Sequence, residues 1–220
     1  MITVNGKVVT ELGTKVKLSD KVIYGDQLLS HERKRYLLLN KQKGYVTTTK
    51  DPHAKNTVME LIAGACRERI YPVGRLDKQS EGLILLTNDG PLTNRLTHPR
   101  FGHSKVYEVI IEGRVSEDAL IKWRRGILLD GTLTAPAEIK ILEVNQDETR
   151  LEIALREGRK RQIRRVAALL GYEVTGLIRR KIGPISLGNL EPGQWIRLSE
   201  GEVKALHESA FGTSKKQILR

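Results

Sequence analysis

The chain has 220 residues, 39% of them hydrophobic and 29% charged, with a formal net charge of +12 at neutral pH. That length holds one large domain, or one ordinary domain with a small appendage. So large a positive charge points to a polyanionic partner, since each neutralised phosphate releases condensed counterions; a solvated basic surface is the plainer alternative. One cysteine, Cys66, excludes an intramolecular disulfide and a cysteine-rich metal cluster. With no secretory signal, no membrane-spanning apolar run and no long basic amphipathic helix, a cytoplasmic protein without a membrane partner is expected.

Ile2-Thr3-Val4 and Lys7-Val8-Val9 flank Asn5-Gly6, the signature of a hairpin with a type I′ turn. A turn near Ser19-Asp20 leads to Val22-Ile23-Tyr24 and then Gly25-Asp26. This first segment, residues 1–30, is β-rich and too small to carry its own core. Ser30 to Arg35 reads as a charged linker. Tyr36 to Asn40 reads as an apolar strand, followed by the loop Lys41-Gln42-Lys43-Gly44 and a return strand from Tyr45 to Thr48. Asn56 is the expected N-cap of a helix through Val58, Met59, Leu61 and Ile62.

Ser80 to Thr87 reads as a buried strand, and Pro91 suits the first turn of a helix ending before Pro99. Lys105 to Glu112 alternates like a strand. Ser116-Glu117-Asp118 opens a helix with acids, and Arg124-Arg125-Gly126 closes it with bases and a glycine. Strands near Ala137–Val144 and Arg150–Arg156 precede a helix over about Lys160 to Leu170. Strands near Leu177–Ile182 and Trp195–Leu198 follow, and Ser199 with Glu202 forms a capping box for a last helix. Because strands and helices do not alternate as βαβ units, the expected fold is α+β, a largely antiparallel mixed sheet with flanking helices. The main domain is expected over 31–212, with a frayed tail over 213–220.

Three places carry chemistry. In Gly74-Arg75-Leu76-Asp77, a lone carboxylate stands between Arg75 and Lys78, on a loop that Gly74 allows to turn tightly. Taken as a tetrapeptide, it reads equally as a surface turn. In Glu157-Gly158-Arg159-Lys160-Arg161-Gln162-Ile163-Arg164-Arg165, Ile163, Val166, Ala167 and Leu170 form a buried helical stripe. Arg161, Arg164 and Arg165 then share another face, self-repelling unless it meets carboxylates or phosphates. Tyr107, by its residues alone, is a strand aromatic packed in the core. The five histidines are dispersed, which disfavours a histidine metal site, and no glycine-rich phosphate loop is present.

The string from Tyr71 to Gly90, YPVGRLDKQSEGLILLTNDG, resembles the central motif of the RNA pseudouridine synthases. The nearest pattern is the RsuA/RluB/RluE/RluF type, which acts on ribosomal RNA, and the resemblance runs from about Tyr36 to Leu206. It implies the pseudouridine synthase fold and makes Asp77 the catalytic residue. The Glu157–Arg165 string resembles the family's third motif, whose basic residue pairs with that aspartate; alignment on Gln162 gives the role to Arg164. The guanidinium would lower the carboxyl pKa and keep it ionised. Tyr107, in Lys105-Val106-Tyr107, takes the position of the family's tyrosine, which stacks on the flipped uracil and is a candidate base for the C5 proton. Stacking of that kind contributes about 1–3 kcal/mol, against a flipping cost of a few kcal/mol.

Lys41 and Gly44 match the first motif, N-K-x-x-G, with Gln42 where proline is usual. Arg75, Lys41, Lys105, Arg161 and Arg165 are the expected RNA contacts. The resemblance implies no cofactor, no metal and ribosomal RNA as partner; a monomer suffices. The EGRxRQIRR string resembles the RluB-type pattern, and that resemblance implies large-subunit in preference to small-subunit RNA. Residues 1–30 resemble the end of an S4-type RNA-binding domain, whose first helices would lie upstream of Met1. A non-catalytic RNA-binding or ribosome-assembly module would share the charge, but it has no use for a carboxylate among cations. A hydrolase or transferase using a lone aspartate would lack its paired acid or base.

Overall fold

The computed structural model describes residues 1–17, 19–30, 32–50 and 56–212. It divides into two units, Met1–Lys34 and Arg35–Arg220. The first is an antiparallel sheet of four three-residue strands, β1 (Ile2–Val4), β2 (Lys7–Val9), β3 (Val22–Tyr24) and β4 (Gln27–Leu29), in the order β2-β1-β3-β4. Positive φ at both Asn5 (50°) and Gly6 (81°) makes the expected type I′ turn. The Asn5 side chain also accepts from the Lys21 N–H at 2.9 Å and donates to Asp20 at 3.1 Å, tying the two hairpins together. No described residue of this unit is buried, in line with a segment too small for a core.

The second unit runs β5 (Tyr36–Lys41), α1 (Val58–Leu61), β6 (Tyr71–Pro72), β7 (Glu81–Thr87), α2 (Gly90–Thr97), a 3-10 turn (Pro99–Phe101), β8 (Lys105–Glu112) and α3 (Glu117–Arg125). It continues through β9 (Leu128–Leu129), β10 (Thr132–Leu133), β11 (Glu138–Val144), β12 (Glu148–Leu155), α4 (Gln162–Leu169), β13 (Val174–Ile182), β14 (Ile185–Ser186), β15 (Trp195–Arg197) and α5 (Glu200–Phe211). The main sheet orders β11-β12-β8-β13-β7-β5-β15, with β14 on β13 and β6 on β7. Every pairing is antiparallel except β7 with β13. The α+β expectation therefore holds.

Residue patterns explain the layers. Along β12, Leu151, Ile153 and Leu155 are buried while Glu152 and Ala154 face away, the period-two alternation of a strand covered on one face. They pack with Val109 and Ile111 of β8, Leu120 and Trp123 of α3, and Ile163, Val166 and Ala167 of α4. The unbroken run Leu83-Ile84-Leu85-Leu86 in β7 is buried on both faces. Leu83 and Leu85 meet Leu92, Leu96 and Leu206, whereas Ile84 and Leu86 meet Val58, Ile62 and Ile70. Each such side chain contributes about 1.5–3 kcal/mol of apolar burial.

Three expectations are corrected. Tyr45 to Thr48 is not a strand, because β7 and β15 already occupy both edges of β5; Val46 forms only an isolated bridge with Thr57. The cap of α1 is Thr57, not Asn56, and the Glu60 carboxylate accepts from the Thr57 N–H at 3.1 Å. Helix α4 starts at Gln162, since Arg161 has a left-handed φ of 52°. The capping box of Ser199 and Glu202 forms as read, and the tail over 213–220 lies outside the described residues. Among those described, no helix is long and apolar enough to cross a membrane.

Candidate active site

A cleft of about 270 Å³ opens where the loop before β7, the start of β8, the middle of β13 and the loop before α4 converge. Asp77, Arg75, Lys105, Tyr107, Arg161 and Arg179 line it. The sheet register explains the meeting of β8 and β13: Tyr107 is the antiparallel partner of Arg179. Arg179 in turn pairs with Gly82 of β7, just beyond the Asp77 loop.

Asp77 is half-buried. Its carbonyl accepts from the Ser80 N–H at 3.0 Å, closing a tight turn. Gly74, at φ +74°, supplies the left-handed backbone that starts the loop. Leu76 is buried, and both its amide and its carbonyl bond to the Thr47 hydroxyl, at 3.2 and 2.9 Å. The carboxylate thus stands on a fixed turn, free of any hydrogen bond or ion pair to a described residue.

Three cations grip this loop through its backbone carbonyls. Lys41, fully buried at the end of β5, donates its ammonium to Ser80 O at 2.6 Å, Gln42 O at 3.1 Å and Lys78 O at 3.4 Å. Arg164 of α4 donates to Val174 O at 2.6 Å and Gln79 O at 3.2 Å. Arg179 of β13 donates to Leu83 O at 2.8 Å and Arg75 O at 3.5 Å. Burial lowers the Lys41 pKa to about 8, partly opposed by the carboxylates of Glu81 and Asp77. Burial also lowers the Arg164 pKa, as does Arg161, while Asp77 and Glu173 raise it.

The structure spreads the expected site residues over different tasks. Asp77, Tyr107, Arg75, Lys105 and Arg161 do line one cleft. Lys41 is corrected as an RNA contact: with 0% exposure its ammonium cannot reach a phosphate, and it serves the Asp77 loop from below. Arg161, Arg164 and Arg165 do not share a helix face, because the left-handed turn at Arg161 places it before the first helical residue. Arg164 feels the Asp77 charge, but it bonds to carbonyls and makes no ion pair with the carboxylate. Arg165 forms a two-pronged pair with Asp130, its Nη1 at 2.9 Å, away from the cleft lining.

Lys105 is half-buried against the His103 carbonyl at 3.1 Å, and burial lowers its pKa, with Arg179 adding to the shift. His103, another cleft residue, has its pKa lowered by burial, then by Lys105 and Arg95, all of which favour the neutral imidazole. Arg159 is structural: it bonds to Leu129 O, Thr132 O and Leu133 O, holding the β9–β10 hairpin. Sequence reasoning missed Arg179. Its only signal was a charge at the strand position that alternates inward with Leu177, which also lines the cleft.

A free carboxylate on a turn, sharing its cleft with several cations and a strand tyrosine, fits the known enzymes to which the chain compares. Residues 35–169 match the family model described as RNA pseudouridylate synthase. The chain belongs to that family. The synthase is 37% identical over 211 residues to the ribosomal large subunit pseudouridine synthase B of Bacillus subtilis, covering 95% of this chain and 86% of that protein. It is 33% identical over 209 residues to the ribosomal small subunit pseudouridine synthase A of Salmonella typhimurium, covering 93% and 88%. A crystal structure of a pseudouridylate synthase superposes with a TM-score of 0.73 at 32% identity, covering 93% of this chain and 88% of that one. The enzyme is thus an RNA pseudouridine synthase with the fold of its family.

Proposed function

We propose that this synthase isomerises a specific uridine of ribosomal RNA to pseudouridine, with Asp77 as its catalytic carboxylate. The reaction breaks N1–C1′, turns the base, forms C5–C1′, and moves one proton off C5 while N1 gains one, so no atom is lost. Asp77 either attacks the sugar or base, or stabilises the charge that develops as the glycosidic bond opens. Tyr107 stacks on the extruded uracil and stands near the C5 proton. Flipping is required because neither C1′ nor C5 is open to a carboxylate in stacked RNA. The observation that carries this reading is the Asp77 carboxylate, unpaired and half-buried in a cleft otherwise rich in cations. A purely RNA-binding surface would gain nothing from a negative charge facing phosphate.

Large-subunit RNA is the favoured substrate, supported by the EGRxRQIRR string and the likeness to the large-subunit enzyme of B. subtilis. Arg75, Lys160 and Arg161 are exposed at the cleft and available to phosphates. The test is tritium release from [5-³H]uridine-labelled large- and small-subunit transcripts. Wild type releases tritium from the large-subunit transcript at one site, and Asp77→Asn releases none while still binding RNA. Release by Asp77→Asn near the wild-type rate would overturn the catalytic assignment; release from the small-subunit transcript alone would overturn the substrate.

A further inference from the structure

From Gly90 to Tyr107 the chain carries Arg95, Arg100 and Lys105 and no acidic residue. Arg95 sits in the last turn of α2, and Arg100 and Phe101 belong to the 3-10 turn that follows. The Arg95 guanidinium carbon lies 4.2 Å from the centre of the Phe101 ring and 5.3 Å from that of Phe211, the last residue of α5. The Arg100 guanidinium lies 4.5 Å from the centre of the same Phe101 ring. A guanidinium stacks through its flat face, so its N–H donors, which lie in the plane, stay available. Neither of these two guanidiniums bonds to or pairs with a described residue.

This cluster adjoins the cleft. His98, a lining residue, packs edge-on against Phe101 with ring centres 5.9 Å apart. Thr97 and Pro99 line the cleft as well. A Cβ on Gly74 would lie 3.5 Å from the Thr97 methyl group, so the end of α2 abuts the start of the Asp77 loop. The Arg95 charge reaches the cleft wall too: after burial and Lys105, it lowers the His103 pKa.

Resting on the reading that the target uridine reacts at Asp77, we propose that Arg95 and Arg100 bind the phosphodiester backbone of the RNA strand as it leaves the cleft, on a platform made by Phe101 and Phe211. Two cations over one ring repel each other, and a phosphate beside them removes that cost. Arginine suits the task better than lysine, because it stacks on a ring with its face and grips a phosphate with its edge. Side chains already held by rings lose less freedom on binding than free ones. A clamp joining α2 to α5 would use Arg95 and Phe211, but it has no use for Arg100, which is exposed and stacked within its own turn.

The experiment measures filter binding of the labelled transcript over a salt series, and tritium release with kcat and KM resolved, for wild type, Asp77→Asn, Arg95→Gln, Arg100→Gln and Arg95→Lys. Melting curves set a temperature at which every variant is folded. Each glutamine variant is expected to bind about tenfold more weakly and to flatten the slope of log K against log salt by about 0.7. Their kcat at saturating RNA should stay within about threefold of wild type. Arg95→Lys keeps the charge and should keep the slope. Transcripts shortened from the 5′ or the 3′ side of the target uridine locate the contact: in one of the two series, the difference between wild type and the glutamine variants should vanish. Unchanged affinity and slope in the glutamine variants would overturn the inference. A lower melting temperature or kcat with unchanged affinity would overturn it as well, because the cluster would then only hold α2 on α5. So would an affinity loss that persists in both shortened series, since the contact would not be with the departing strand. If Asp77→Asn is inactive and the glutamine variants bind as wild type, only the platform fails; if Asp77→Asn releases tritium near the wild-type rate, the reading of the cleft fails and the inference with it.

Discussion

The ammonium of Lys41 lies 2.6 Å from the carbonyl of Ser80, out of contact with solvent and directly beneath the turn that presents Asp77. Burial brings its pKa down to about 8 from 10.5. Above pH 8 the neutral amine has one donor fewer for its three carbonyl acceptors, and the charge under Asp77 is gone. Turnover should therefore fall through an alkaline limb near pH 8. The stability contribution has the opposite sign: between about 8 and 10.5 the unfolded chain binds more protons at this lysine, so its share of stability rises with pH. A kcat–pH profile beside denaturation midpoints at the same pH values checks both. In Lys41→Met the limb should vanish from a weakly active enzyme, and a limb that persists there would belong to another group, Lys105 first.

Gly82→Ala places a methyl group 2.4 Å from Arg179 O and 2.5 Å from Arg179 N, at a φ of +103° that L residues rarely adopt. The strands must part where β7 and β13 pair. We expect a loss of about 3 kcal/mol of stability, together with lower kcat as Arg179 shifts. Urea denaturation measures the first; a loss under about 1 kcal/mol would mean the strands accommodate the methyl group.

Arg164→Ala removes donors from Val174 O and Gln79 O, together with a cation that feels the Asp77 charge. Turnover should drop by about two orders of magnitude, and stability by about 1–3 kcal/mol for the carbonyls left without a partner. An ion-pairing role alone would lower activity without that stability loss, so kinetics and denaturation on the same sample separate the two.

RNA affinity should fall steeply with salt. Arg75, Lys160 and Arg161 alone give a slope of log K against log salt of roughly −2 on single-stranded RNA. Arg161→Gln should flatten the slope by about 0.7. Arg165→Gln should leave it unchanged, because that guanidinium is held by Asp130. Filter binding over a salt series reads all three.

Much of this enzyme is written locally. The Asn5-Gly6 turn, the caps at Ser116 and Ser199, and the strand over Lys105–Glu112 depend on neighbours in sequence, and the structure keeps each. The central motif, too, pointed to the family from contiguous residues, and the family match bears that out. The sequence could not say what each cation would meet. Lys41, Arg161 and Arg165 all read as basic residues beside motifs, yet one is buried under a loop, one borders the cleft and one pairs with Asp130. A long charged side chain is committed by the carbonyls and carboxylates within its reach, and those come from distant parts of the chain. Arg179 and Leu83, bonded 2.8 Å apart, are separated by 96 residues. Likewise the failed strand at Tyr45–Thr48 had suitable residues but no free edge, because β15, from near the other end of the chain, had taken it. Local chemistry chose the elements and placed a carboxylate in the central motif; only tertiary packing decided which charges surround that carboxylate, because hydrogen-bond partners across a sheet are set by topology and not by adjacency.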